Sequence, residues 1–117
     1  MARPVLLVED DDEAREALRA VLRSLGVDVI CARDGLEALR FLWRGLRPNV
    51  ILLDVMLPNV DGFTFRELQQ ANWSDIPVIV VSAIHDLPEH VEALKPLAWF
   101  KKPVDVDALT EAVARYC

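Results

Sequence analysis

Three stretches of the chain are apolar without interruption: Val5-Leu6-Leu7-Val8, Val50-Ile51-Leu52-Leu53 and Val78-Ile79-Val80-Val81. Runs this short, rich in Val and Ile and lacking polar alternation, predict strands buried on both faces. Val27 to Ala32 sets Val27, Val29 and Cys31 against Asp28, Ile30 and Ala32, a weaker and more polar pattern that predicts an edge strand. Leu97-Ala98-Trp99-Phe100 predicts a fifth strand, short, closed by Lys101-Lys102-Pro103, and therefore also an edge.

Helical spacing fills the intervals. Leu18, Val21, Leu22 and Leu25 recur on one stripe of a helix from Ala14 to Leu25, and Gly26 stands where helices stop. Asp34 is a suitable N-cap for a helix through about Arg44, with Leu36, Leu39 and Trp43 on its stripe. Asn59-Val60-Asp61-Gly62 is turn chemistry, followed by a helix to about Gln70. Pro88 suits the first turn of a helix that Pro96 must end, because an interior proline costs about 3 kcal/mol. That helix is therefore short, Pro88 to Lys95. Asp105 caps a last helix whose stripe is Leu109, Ala112, Val113 and Tyr116.

Strand and helix thus alternate five times, which means a parallel sheet covered by helices on both faces. With the wholly apolar strands central, right-handed crossovers favour the order 2-1-3-4-5, an α/β, (βα)5 doubly wound fold of the flavodoxin-like type. Its topological switch point lies between the first and third strands. No linker or repeat interrupts the pattern, so residues 1–117 are expected to form a single domain with no output domain after the fifth helix.

Composition narrows the function. The chain is 53% hydrophobic, which excludes disorder, and its net charge of −6 leaves no basic patch for nucleic acid. No apolar run reaches the length of a membrane span and no signal-peptide pattern opens the chain, so a cytoplasmic protein with no membrane partner is expected. Cys31 and Cys117 fit neither a metal site nor a disulfide framework.

The chemistry lies at the strand ends. Glu9 and Asp10 follow the first strand, Asp54 the third, Ser82 ends the fourth, and Lys102 follows the fifth. In a parallel sheet these ends share one rim. Two bare carboxylates about 4 Å apart repel by roughly 4 kcal/mol at an effective dielectric near 20. Three together call for a hard divalent cation, and Mg2+ suits one or two carboxylates plus waters and phosphate oxygens. Lys102 offers a second positive charge, and Ser82 a hydrogen bond to a group added to Asp54. The set reads as a site for moving a phosphoryl group onto Asp54. A solvated acidic rim explains any one of these residues, but not the five at matching strand ends.

Val5-Leu6-Leu7-Val8-Glu9-Asp10-Asp11, Leu53-Asp54-Val55-Met56-Leu57-Pro58 with Asp61-Gly62, Val81-Ser82-Ala83 and Lys102-Pro103 together resemble the receiver domain of two-component response regulators, along the whole chain. The resemblance implies a phosphorylation-dependent signalling switch of the CheY-like kind. Asp54 would accept phosphate from a histidine kinase or a histidine phosphotransfer protein. Asp10, Asp54 and the Met56 backbone carbonyl would bind Mg2+ directly, and Glu9 through water. Lys102 and Ser82 would contact the phosphoryl group, and Trp99 falls at the aromatic switch position. Asp11, Met56, Ile84 and Pro103 would border the site. Such a protein catalyses its own phosphorylation and slow dephosphorylation without being a turnover enzyme. Relatives bind their phosphodonor near the first helix, which makes Ala14, Ala17 and Leu18 contact candidates, while Arg15, Glu16, Arg19 and Arg23 read as a solvated face. His85 and His90 read as surface residues without a partner group.

Lys95-Pro96-Leu97-Ala98 departs from the family pattern, in which a Gly-Ala turn precedes the fifth strand. The fourth helix is therefore expected to be short or displaced, within the helix 4, strand 5, helix 5 surface that relatives use for output. A phosphate-independent interaction module of the same fold would have lost Asp54, Lys102 or the acidic pair, and none is lost. A phosphatase with an aspartyl intermediate would carry a second carboxylate where Met56 stands. A nucleotide-binding domain would need a Gly-rich first turn in place of Glu9 to Glu13.

Overall fold

The computed structural model describes residues 3–83 and 87–116. Its strands are β1 (Val5–Val8), β2 (Val29–Ala32), β3 (Val50–Leu53), β4 (Val78–Ser82) and β5 (Ala98–Lys101). Its helices are α1 (Asp12–Ser24), α2 (Gly35–Trp43), α3 (Gly62–Asn72), α4 (Leu87–Leu94) and α5 (Val106–Ala114). All strand pairs are parallel and the sheet order is β2-β1-β3-β4-β5, as the apolar pattern predicts.

Alternate strand residues feed two cores. Leu6, Val8, Ile51, Leu53 and Val80 meet Leu39 and Leu42 of α2, Phe65 of α3 and Leu94 of α4. Val5, Leu7, Leu52, Ile79 and Val81 meet Leu18 and Leu22 of α1 and Leu109 and Val113 of α5. The central strands are apolar up to Ser82 at the end of β4 because both faces are covered. Each Val, Leu or Ile so buried contributes about 1.5–3 kcal/mol.

Four helices begin at the rim where the strands end, each capped by an aspartate. The side chains of Asp11, Asp34, Asp61 and Asp105 accept from the amides of Ala14, Glu37, Thr64 and Ala108. Much of the acidity of that rim is therefore engaged in capping.

The element ends differ in small ways from expectation. α1 starts two residues earlier than Ala14, on its Asp11 cap, and β2 starts at Val29 rather than Val27. Leu25 is exposed as the C-cap of α1. In α2, Ala38, Leu39 and Leu42 point inward, while Trp43 is exposed and sets its ring edge-on to buried Trp73. Tyr116 lies past the end of α5 and is exposed. α4 is indeed short, eight residues, and Lys95 after it takes a positive φ of 46° ahead of Pro96.

Candidate functional site

The backbone of Asp54 is anchored to the neighbouring strand, its amide donating to Val8 O at 3.0 Å. This places its carboxylate beside the end of β1. Glu9, whose amide donates to Ala32 O, is 2% exposed, whereas Asp10 next to it is exposed. Carboxylate oxygens of Glu9, Asp10 and Asp54 all lie within 4.8 Å of one another.

Lys102 reaches this cluster from the end of β5. Its amide donates to Ser82 O at 2.9 Å, which continues the β4–β5 pairing one step beyond the strand. Its Nζ lies 3.1 Å from Asp54 Oδ2 and contacts Glu9 Oε1 as well. Asp54 Oδ1 accepts from the Met56 amide at 2.9 Å and from Ser82 Oγ at 3.2 Å. Both oxygens of Asp54 are therefore held.

Burial, the largest effect, raises the Glu9 carboxyl to about 7; Lys102 pulls it down and Asp54 pushes it up. For Lys102, burial alone works downward, but its bonds to Glu9 and Asp54 leave the ammonium above its ordinary value. One ammonium thus contacts two of the three carboxylates, Glu9 and Asp54, and the buried Glu9 remains reluctant to ionise. Hard oxygen donors this close, with negative charge in excess, fit a divalent ion such as Mg2+.

The remaining residues singled out from sequence are dispersed. The Asp11 side chain caps α1, although its amide donates to Glu9 Oε2 at 3.3 Å. The Met56 side chain is exposed beside the site. Trp99, on β5 opposite Val80, is 41% exposed. Pro103 follows Lys102 through a cis peptide bond and lines a 240 Å3 apolar groove with Ala14, Ala17, Leu18 and Val106. Ile84 and His85 lie outside the described residues. His90 is not without a partner, since its ring packs edge-on against Phe63 at 5.3 Å.

Two arginines are illegible in the sequence as structural groups. Arg15, which reads as part of a solvated face, instead turns back to the Glu9 carbonyl at 3.1 Å with a side chain 11% exposed. Its one sequence signal is its place one turn into a helix that starts at the acidic loop. Arg66 is buried on α3 and donates to the Leu94 and Lys95 carbonyls and to Gln69. No pattern in the sequence marks it.

Comparison with known proteins agrees with this architecture. The response regulator receiver domain family matches residues 5–114. The response regulator MprA of Mycobacterium leprae is 37% identical over 113 residues, covering 95% of this chain and 48% of that protein. The chain thus spans about half the length of the MprA relatives it matches. A response regulator receiver protein from Pseudomonas putida superposes with a TM-score of 0.89 at 32% identity, covering 98% of each chain. The receiver domain of Francisella response regulator 1452 gives 0.88 at 28% identity, covering 97% of this chain and 95% of that one. A match that runs from β1 to the end of α5, on a sheet of the same order, leaves no room for another assignment: the chain belongs to the response regulator receiver domain family of two-component systems.

Proposed function

We propose that this chain is a phosphorylation-controlled switch whose acceptor is Asp54. The observation that carries the reading is the meeting of Asp54 with the Glu9 and Asp10 carboxylates and with the Lys102 ammonium. In the transfer, an Asp54 carboxylate oxygen attacks the phosphorus of a phosphohistidine. A P–O bond forms as the P–N bond breaks, and the imidazole leaves with the bonding pair. Asp10, Asp54, the Met56 carbonyl and, through water, Glu9 would hold Mg2+, which when bound offsets charge on the phosphoryl oxygens. Lys102 neutralises the same charge from the β5 side, and the Ser82 hydroxyl follows the new phosphoryl group.

The donor is a histidine kinase or a histidine phosphotransfer protein. The apolar groove of Ala14, Ala17, Leu18, Pro103 and Val106 adjoins Lys102 and suits the docking of such a donor. The readout surface is that of α4, β5 and α5, where Leu97, Trp99 and Val106 are exposed. Movement of Ser82 toward the phosphoryl group would let Trp99 turn inward.

The test is to add Mg2+ and beryllofluoride, or a small phosphodonor, and follow amide shifts around Asp54 and the fluorescence of Trp99. A saturable response is expected in the wild type and none in Asp54→Ala. An equal response in both proteins, or in neither, rejects Asp54 as the acceptor.

A further inference from the structure

Arg15 lies one turn into α1 yet points back toward the cluster. Its Nη1 donates to the Glu9 carbonyl at 3.1 Å and lies 3.5 Å from the Asp10 carbonyl, while Nη2 pairs with Asp12. These carbonyls belong to the two residues whose carboxylates join Asp54 in the cluster. The sheet holds this segment only as far as Glu9, whose amide donates to Ala32 O. Beyond it the chain must turn into α1, and Arg15 bridges that turn with a planar fork that can reach two carbonyl oxygens at once.

We propose that Arg15 is a positioning residue for the cation site: it fixes the Glu9 and Asp10 peptide units and thereby holds both carboxylates facing Asp54. This inference rests on the cluster being a Mg2+ site. Partners that orient ligands from behind commonly account for ten- to hundredfold in metal affinity.

The role has a sign that separates it from simple electrostatics. As a nearby positive charge, Arg15 opposes a divalent cation, so removing the charge alone tightens Mg2+ binding. As the brace of the Glu9–Asp10 turn, its removal loosens binding. Asp12 supplies an internal control. Its side chain is 85% exposed, so Asp12→Asn removes the ion pair and leaves the carbonyl contacts.

The experiment is calorimetric titration of Mg2+ into the wild type, Arg15→Gln, Arg15→Lys and Asp12→Asn, with amide hydrogen exchange measured without metal. Arg15→Gln is expected to weaken binding roughly tenfold, Arg15→Lys less because an ammonium is a point donor, and Asp12→Asn less than twofold. Exchange at residues 10–12 is expected to speed up in Arg15→Gln while the β1 and β3 amides stay unchanged. If Arg15→Gln does not unfold cooperatively in urea, Arg15→Lys decides by the same comparison. Unchanged or tighter Mg2+ binding in the folded Arg15 variant overturns the positioning role while leaving the Mg2+ site intact. Absence of binding by the wild type overturns the site itself.

Discussion

Lys102 Nζ stands 3.1 Å from Asp54 Oδ2, joining residues 48 positions apart in the chain, and it holds Glu9 in the same grip. In Lys102→Ala two buried carboxylates face each other without that cation between them. Removing one partner of a buried pair costs about 3–5 kcal/mol. Lys102 is one-quarter exposed, and Glu9 is able to take up a proton near neutrality, so a loss of about 1–2 kcal/mol is expected without Mg2+. Urea unfolding with and without Mg2+ measures it. The deficit should shrink when Mg2+ is added, and a variant as stable as the wild type in metal-free buffer counts against the pairing.

Gly62 is required for close approach rather than for an unusual φ. A Cβ there would lie 2.2 Å from the Val55 Cα and 2.8 Å from its Cβ, and the Gly62 amide already donates to Val55 O. Gly62→Ala must therefore push the segment that carries Met56 away from α3, at about 3 kcal/mol. Gly26 makes the contrast: its φ is 79° and a Cβ placed there would have nothing within 4 Å, so Gly26→Ala meets strain alone, about 1–2 kcal/mol. Thermal denaturation of both variants should rank them in that order.

The sheet is legible in the sequence because β1, β3 and β4 are buried on both faces, so their runs stay apolar up to the rim, where Ser82 ends β4. The rim residues are legible for the same reason, since Glu9, Asp54 and Lys102 each stand near the polar break after a strand. The acidic residues of the rim are harder to sort. Asp11 and Asp10 are neighbours of the same chemistry, yet one caps α1 and the other faces Asp54. Arg15 and Arg66 stay hidden because a long side chain on a helix reaches any of several directions, and the choice depends on carbonyls brought near by the tertiary fold. Trp43 falls outside the core because the 3.6-residue stripe of α2 is satisfied by Ala38 and Leu42 without it.

Arg66 fastens the end of the short α4. Its guanidinium donates to Leu94 O at 2.7 Å and to Lys95 O at 2.6 Å, the carbonyls a helix leaves open at its last turn. Burial lowers its pKa, but among the described residues no carboxylate is one of its hydrogen-bond acceptors, so the negative end of the helix serves as its counter-charge. Arg66→Met keeps the apolar stem and strands these carbonyls. A loss of about 2–4 kcal/mol is expected, given roughly 1–3 kcal/mol for each unsatisfied buried group. Hydrogen exchange should accelerate at residues 91–95 ahead of β1 and β3, and a uniform change across the sheet would contradict a local clamp.

Cys31 provides a readout that is independent of phosphorylation. Burial raises its thiol above the usual 9.0, and the nearby Arg19 and Arg15, which pull it down, do not offset this. The thiolate is the reactive form, so at pH 8 the folded protein should alkylate at Cys31 more slowly than the urea-unfolded chain, followed residue by residue by mass spectrometry. The same shift fixes a pH dependence. The folded state keeps the proton to higher pH than the unfolded state. The contribution of Cys31 to stability is therefore fully present below the unfolded value of 9.0 and is lost as the pH rises through the higher folded value. Cys31→Ser should accordingly show a shallower loss of stability than the wild type as the pH is raised above 9.0, and parallel curves would place the thiol in water.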